Sequence, residues 1–150
     1  MNMVRLIYVS RLSEECGPKE LEDILATSRK NNEPHGITGA LCYSPQAFLQ
    51  CLEGPRDTIN RLYGAIVRDD RHIDVTLLHY ADIHQREFES WTMAYIRADD
   101  LDKRILFKYS PTKTLDPFQM TAAQALGFIR ELSKAHRQVS QEAVTVGAER

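Results

Sequence analysis

Hydrophobic and polar positions alternate along the chain in a way that predicts strands and helices in turn. Residues 4–10 are rich in β-branched and aromatic side chains, which predicts a first strand. After Pro18, apolar residues recur at three- and four-residue intervals and predict a helix that ends near residue 32. Residues 37–43 and 48–53 flank a turn that contains proline, so we expect these two segments to form a β-hairpin.

A second helix and two more strands follow the hairpin. The Gly54-Pro55 pair marks the start of an amphipathic helix whose apolar stripe runs out at Asp69. Strands are predicted at 75–80 and 91–96. The resulting order, β-α-β-β-α-β-β, predicts an α+β fold with a ferredoxin-like sheet and both helices on one face.

The rest of the chain is expected to cover the other face of that sheet. Thr121 and Gln124 fit a capping box, and the apolar stripe behind them predicts a helix that packs on the open face. Residues 138–150 contain no aromatic residue and little periodicity, which is typical of a flexible tail. We therefore divide the chain into a domain at 1–98, a helical extension at 99–137 and a tail at 138–150.

Composition and charge narrow the class of protein. The 150 residues are 43% hydrophobic and 27% charged, and the net charge of −2 leaves no positive excess to attract nucleic acid or anionic lipid. The N-terminus does not resemble a signal peptide, and no apolar stretch is long enough to span a membrane, so we expect a cytoplasmic protein. The cysteines and histidines lack metal-ligand spacing, so we expect no metal.

Two polar side chains are predicted on an apolar face of the sheet. In strand alternation Tyr8 is in phase with Leu6, and Gln50 is in phase with Phe48 and Leu52. A buried amide without a hydrogen bond costs about 1–3 kcal/mol, so Gln50 must meet protein groups or a ligand. The residues alone leave both interpretations open: a hydrogen-bonded pair in the core, or part of a binding site.

Two further polar clusters follow the predicted helices. Asn31 and Asn32 can each donate and accept hydrogen bonds, which suits a ligand edge with C=O and N–H groups, although asparagine is also common at helix ends. Asp69, Arg71 and His72 follow the second helix, where Arg71 and His72 could hold a phosphate, although mixed charges there usually form a solvated loop. Neither cluster by itself distinguishes a ligand-binding site from an ordinary surface turn.

Six motifs stand in order between Met3 and Ile96. They are Arg5-Leu6-Ile7-Tyr8-x-Ser10, Asn31-Asn32, Gly36-Ile37-Thr38-Gly39-x-Leu41-x-Tyr43, Phe48-Leu49-Gln50-x-Leu52-Glu53-Gly54, Asp69-x-Arg71-His72 and Trp91-x-Met93. Together they resemble the BLUF family, whose members are blue-light sensors that bind a flavin non-covalently. Beyond them, Lys108-Tyr109-Ser110-Pro111 and the helix start at Met120 are similar to the short, stand-alone PixD type.

This resemblance implies that a flavin ring inserts between the two helices. FAD is the expected cofactor, with FMN or riboflavin as alternatives, because Ala65 stands where relatives of the PixD type commonly carry arginine. The ring is expected to be lined by Ile24, Phe48 and Ile66. The cofactor-binding residues that the resemblance implies are Tyr8, Ile24, Asn31, Asn32, Phe48, Gln50, Ile66, Asp69, Arg71 and His72.

The resemblance also implies a light switch rather than an enzyme. Tyr8 would be the redox-active phenol, and Gln50 the amide that relays its proton and then changes its hydrogen bond to the flavin. Trp91 and Met93 would pass this change to the C-terminal helices. The implied partners are further copies of the chain, in a dimer or a ring-like decamer, and a response-regulator-like protein. We expect no separate catalytic output domain.

Two other functions compete with the sensor. A ferredoxin-like hydrolase of the acylphosphatase kind needs a phosphate-binding loop after the first strand, but residues 10–17 contain Glu14, Glu15 and a single glycine. A colourless ligand-binding regulator that has lost its photochemistry has no need of both Tyr8 and Gln50. The sensor is therefore the leading hypothesis, and the hydrolase is its alternative.

Overall fold

The structure, a computed structural model, describes residues 2–45, 47–88 and 93–148, with side chains described as far as residue 135. Within these residues, five strands form one sheet: β1 (Met3–Leu12), β2 (Thr38–Tyr43), β3 (Ala47–Pro55), β4 (His72–Ile83) and β5 (Ala94–Arg97). The α-helices of the same residues are α1 (Pro18–Asn32), α2 (Arg56–Arg68), α3 (Lys103–Tyr109) and α4 (Ala122–Ala148).

The strands are arranged in the order β4-β1-β3-β2-β5. Neighbouring strands run antiparallel except β2 and β5, which are parallel. β1 and β3 lie inside the sheet and pair from Met3 opposite Pro55 to Arg11 opposite Ala47. Together with the order of helices and strands along the chain, this topology confirms the predicted ferredoxin-like α+β fold.

The sheet separates two hydrophobic cores, because successive side chains of a strand point to opposite faces. One core lies against α1 and α2 and includes Leu6, Ile24 and Ile59. In the other core, Ile7 and Leu49 are buried with side chains of α3 and α4, namely Leu106, Ala125, Phe128, Ile129 and Leu132. The C-terminal helices therefore cover the face that α1 and α2 leave open, as the sequence predicted.

Helix ends follow signals that are present in the sequence. Pro18 is the first residue of α1, where its missing N–H costs no hydrogen bond. Before α4, the Thr121 N–H donates to Gln124 Oε1 at 2.9 Å and the Gln124 N–H donates to Thr121 Oγ1 at 3.1 Å, which confirms the capping box. Gly36 has a φ of 70° at the end of the 3-10 turn after α1, a conformation that favours glycine.

Three elements differ most from their predicted bounds. β4 is longer than the predicted 75–80, because shifts in its register with β1 break the period of two that marks a strand in the sequence. β5 begins at Ala94, and residues 89–92 of the chain lie outside the described residues. The backbone of α4 continues to Ala148, since no proline interrupts the chain between Ala122 and Ala148. Flexibility of the segment 138–150 stays a prediction.

Candidate functional site

A cavity of about 220 Å³ lies between α1, α2 and the sheet. Its lining residues are Tyr8, Ile24, Thr27, Ser28, Asn31, Asn32, Leu41, Phe48, Gln50, Leu62, Ala65, Ile66, Asp69, Arg71 and His72. All ten predicted cofactor contacts are among them. The fold therefore brings the predicted site residues together around one cavity, while their contact with a cofactor stays a prediction.

Besides Ala65, four lining residues were not predicted from the sequence. Thr27 and Ser28 follow Ile24 by three and four positions, so they share its helix face and could have been found from that spacing. Leu41 and Leu62 also line the cavity, and their apolar side chains carried no signal that separates a cavity wall from an ordinary core.

Tyr8 and Gln50 form the central polar pair of the site. They stand directly opposite each other in the β1–β3 register, so their side chains share the cavity face. Tyr8 Oη donates a hydrogen bond to Gln50 Oε1, and the two residues are only 1% and 6% exposed. Burial, with smaller effects of Tyr63 and Asp69, raises the pKa of the Tyr8 phenol far above its ordinary value. The phenol therefore stays protonated at neutral pH.

The other end of the Gln50 amide faces Met93. Gln50 Nε2 donates to Met93 Sδ at 3.5 Å, and Met93 is buried in the core on the cavity side of the sheet. The Met93 carbonyl oxygen accepts a bond from Arg29 Nε of α1 at 3.4 Å. Met93 is thus in direct contact with the central pair, whereas Trp91, the other residue predicted to carry the signal, lies outside the described residues.

The two asparagines at the end of α1 have different environments. Asn32 is 2% exposed, whereas Asn31 is exposed and its carbonyl oxygen accepts a hydrogen bond from His35 Nδ1 at 2.6 Å. Both residues line the cavity. A primary amide carries two donors and an acceptor, so the buried Asn32 side chain suits the edge of a ring with C=O and N–H groups.

The charged cluster after α2 is internally paired. Arg71 Nη2 lies 2.6 Å from Asp69 Oδ2, and this hydrogen-bonded pair lowers the pKa of Asp69 to about 2. His72 is 8% exposed, its Nδ1 lies 2.9 Å from Ser10 Oγ, and burial lowers its pKa. Because Arg71 is neutralised by a carboxylate and His72 is uncharged at pH 7, phosphate binding by this pair stays a prediction.

The chemistry of the cavity fits a flavin ring. Apolar side chains of α1, α2 and the sheet provide surface for a flat aromatic system, and the amides of Asn32 and Gln50 provide donors and acceptors for its polar edge. A volume of about 220 Å³ is below the roughly 300–1,000 Å³ of pockets that enclose whole ligands. The cavity is therefore closer in size to a flavin ring than to a whole dinucleotide.

Other kinds of site find less support in the described part of the chain. No group of histidine, cysteine, aspartate or glutamate side chains there is arranged to hold a metal ion. Among the helices of the described residues, none combines the length and the hydropathy that a bilayer-spanning segment needs.

Comparison with known proteins gives a consistent result. The family described as "BLUF: Sensors of blue-light using FAD" matches residues 3–94. The photo-activated structure of BlsA is 32% identical, covers 87% of this chain and 94% of its own, and superposes with a TM-score of 0.77. The dark-state structure of BlrB, a BLUF protein, shares the fold at 24% identity and a TM-score of 0.76, covering 89% of this chain and 97% of its own.

Curated relatives are much longer proteins. The photoactivated adenylate cyclase subunit beta of Euglena gracilis is 36% identical over 92 residues. That match covers 61% of this chain but only 11% of the cyclase subunit, so the chain corresponds to a small part of this relative.

Proposed function

Because this chain belongs to the BLUF family of blue-light sensors, whose domains bind flavin, we propose that it is a light switch in which Tyr8 and Gln50 respond to excitation of the ring. The hydrogen bond from Tyr8 Oη to Gln50 Oε1 in the cavity wall carries this proposal. Membership of the family favours the sensor over the hydrolase alternative. We further propose that Asn31, Asn32 and Asp69 with Arg71 hold the polar parts of the cofactor.

Tyr8 supplies the electron and the proton in this scheme. A bound flavin, when excited by blue light, supplies a strong one-electron oxidant. The high pKa of Tyr8 excludes a standing phenolate, so the phenol must release its Oη proton as it gives up an electron. Gln50 Oε1 is the acceptor for that proton, along a hydrogen bond that already exists. Electron and proton then return to Tyr8, so the cycle consumes no residue.

Gln50 converts this short-lived transfer of an electron and a proton into a change of hydrogen bonding. Its amide accepts a hydrogen bond at one end and donates at the other. Rotation or tautomerisation therefore exchanges the acceptor and donor groups that face Tyr8 and Met93. Met93 precedes β5, whose first residue, Ala94, belongs to the core on the α4 side of the sheet. We propose that β5 carries the change from the cavity to α4 as an element with two packings.

The output is proposed to leave through protein contacts. α3 and α4 cover the sheet face opposite the cavity, which makes them the natural contact surface for further copies of the chain or a response-regulator-like protein in the cytoplasm. No enzymatic activity is proposed for residues 1–150. A dimer and a ring-like decamer are the homo-oligomers to be distinguished.

Substitution of Tyr8 tests the switch. The purified protein should be yellow, and its flavin band should shift reversibly to longer wavelength under blue light. Tyr8→Phe should keep the colour and abolish the shift, because it removes the phenol proton without changing the ring. Tyr63→Phe is the matched control: its ring centroid lies 5.9 Å from that of Tyr8, it does not line the cavity, and it should keep the shift. A colourless protein, or a shift that survives Tyr8→Phe, would refute the proposal.

A further inference from the structure

A buried carboxylate on β3 holds the chain segment that leads to Met93. Glu53 is 0% exposed and stands opposite Arg5 in the β1–β3 register. Its Oε2 accepts a hydrogen bond from Arg5 Nε at 3.0 Å and lies 2.9 Å from Arg5 Nη2. Its Oε1 accepts from the backbone N–H groups of Glu87 and Phe88, each at 2.9 Å. One carboxylate therefore joins β1 to residues 87 and 88.

Arg86 fastens the same segment at the backbone of β3. Its Nη1 donates to the carbonyl oxygen of Glu53 at 3.1 Å and to Thr38 Oγ1 of β2 at 2.8 Å. Three consecutive residues, 86 to 88, are thus bonded to Glu53. We call the contacts of Glu53 with Arg5, Arg86, Glu87 and Phe88 the Glu53 clamp.

The clamp and the Gln50 switch lie on opposite faces of one strand. Gln50 and Glu53 are three positions apart on β3, so their side chains project to opposite sides of the sheet. Phe88 is buried in the core on the α4 side, whereas Met93 is buried on the cavity side beside Gln50. Met93 follows Phe88 by five positions, a length that spans at most about 18 Å even when fully extended. Fixing Phe88 therefore restricts where Met93 can lie.

We propose that Glu53 is a positioning residue for the Gln50 switch: by anchoring residues 86–88 it holds Met93 against Gln50 Nε2 and so sets the lifetime of the light state. This inference rests on the proposed function. A side chain that is tightly packed against fixed neighbours reorients slowly, because the neighbours must move first. Release of the clamp loosens Met93 and speeds the return of Gln50 to its dark arrangement.

Glu53→Gln tests the clamp at nearly constant shape. The amide nitrogen cannot accept a hydrogen bond and the remaining oxygen is uncharged, so the N–H groups of Glu87 and Phe88 lose either their acceptor or its charge. In flavin-free protein, hydrogen exchange at these two amides should rise about tenfold. In flavin-bound protein, the spectral shift should keep its size and the dark recovery should accelerate about fivefold.

A double-mutant cycle shows whether Glu53 acts through Met93. In a Met93→Ala background, Glu53→Gln should produce no further acceleration, because the residue that the clamp positions is gone. Leu106→Val is the stability control: it truncates a buried side chain of α3, and it should leave the recovery rate unchanged. Equal acceleration in both backgrounds, or raised amide exchange with unchanged recovery, would overturn the inference.

Arg86→Ala provides a second variant if Glu53→Gln does not fold. It removes the bonds of Arg86 to the Glu53 carbonyl oxygen and to Thr38 without leaving a buried charge unpaired, and it should accelerate recovery about twofold. Failure of the proposed function gives a different result from failure of this inference. If the wild-type protein shows no flavin shift, or if the shift survives Tyr8→Phe, both the proposed function and the role of Glu53 are refuted. If Glu53→Gln and Arg86→Ala show a normal flavin shift and recover in the dark at the wild-type rate, only the role of Glu53 is refuted.

Discussion

Met93 Sδ lies 3.5 Å from Gln50 Nε2, at the end of the amide opposite to the oxygen that accepts from Tyr8 Oη. The Gln50 side chain therefore contacts both the Tyr8 phenol and Met93, the residue that precedes β5. In the proposed switch, a single rotation of the amide changes both contacts together, so Gln50 and Met93 link a change at Tyr8 to β5.

Met93→Ala should separate light detection from output. The hydrogen bond between Tyr8 and Gln50 does not involve Met93, so the flavin shift should persist in the variant. The light-dependent change in oligomeric state or partner binding should weaken, because Gln50 no longer has a packed neighbour to displace. Size-exclusion chromatography in the dark and under blue light measures this change.

Met93→Leu is the matched control for that experiment. It keeps the side-chain volume and loses the sulfur acceptor, so most of the light-dependent change should remain if packing carries the signal. Full retention of the output change in Met93→Ala would show that the route does not pass through this residue.

Asn32 should contribute more to flavin affinity than Asn31. Asn32 is buried in the cavity, so removing its amide leaves the hydrogen-bonding groups of a bound ring unpaired, and Asn32→Ala should weaken binding about tenfold. Asn31 is exposed, water can replace its amide, and Asn31→Ala should cost about threefold or less. Fluorescence titration of flavin into the apoprotein measures both. Equal losses would contradict the difference in burial.

Stability should fall as the pH drops below neutrality, because His72 is buried in its neutral form. Burial lowers its pKa in the folded protein, so below about pH 6.5 the unfolded chain binds a proton that the folded chain does not. The free energy of unfolding then decreases by up to about 1.4 kcal/mol per pH unit until the folded pKa is passed. His79, whose pKa burial also lowers, adds to this slope.

His72→Gln isolates the contribution of this one residue. Glutamine can retain a hydrogen bond to Ser10 but has no proton to bind in this range, so the variant should show a shallower pH dependence, to which His79 still contributes. Thermal unfolding of the flavin-bound protein between about pH 5 and about pH 8 provides the comparison. If stability depends on pH equally in the wild type and in His72→Gln, the group that binds the proton is not His72.

Ala65→Arg should strengthen flavin binding. Ala65 lines the cavity on α2, so an arginine there adds a fork of donors beside the polar edge of a bound ring, and affinity should rise about three- to tenfold. Ala65→Met adds comparable length without donors and should bring no such gain. Titration with FAD, FMN and riboflavin shows whether the gain depends on the phosphates, and weaker binding of all three would show that the cavity has no room for the longer side chain.

The pairing of Tyr8 with Gln50 could be predicted from the sequence because it needs only local information. A period of two places each residue on the apolar face of its strand, and the hairpin brings the third strand beside the first. Asn31 and Asn32 could likewise be predicted to end α1, although the burial of one and the exposure of the other depend on how α1 packs.

The role of Glu53 could not be predicted in the same way. In the sequence it stands near the end of a strand, where a charged residue is usually solvated. Its burial depends on Arg5, 48 positions away, and on the amides of Glu87 and Phe88, 34 and 35 positions away. Its phase with Cys51, together with an arginine in the facing strand, is the signal that could have revealed it.

The two cores of this protein share a backbone but no side chains, because β1 and β3 send alternate residues to each. Ile7, Val9, Leu49 and Cys51 seat the C-terminal helices, while the residues between them line or support the cavity. Substitutions at these four positions can change which helices pack on this face and leave the cavity wall intact. In the proposed switch, the helices that carry the output can therefore be exchanged while the flavin-binding cavity is kept.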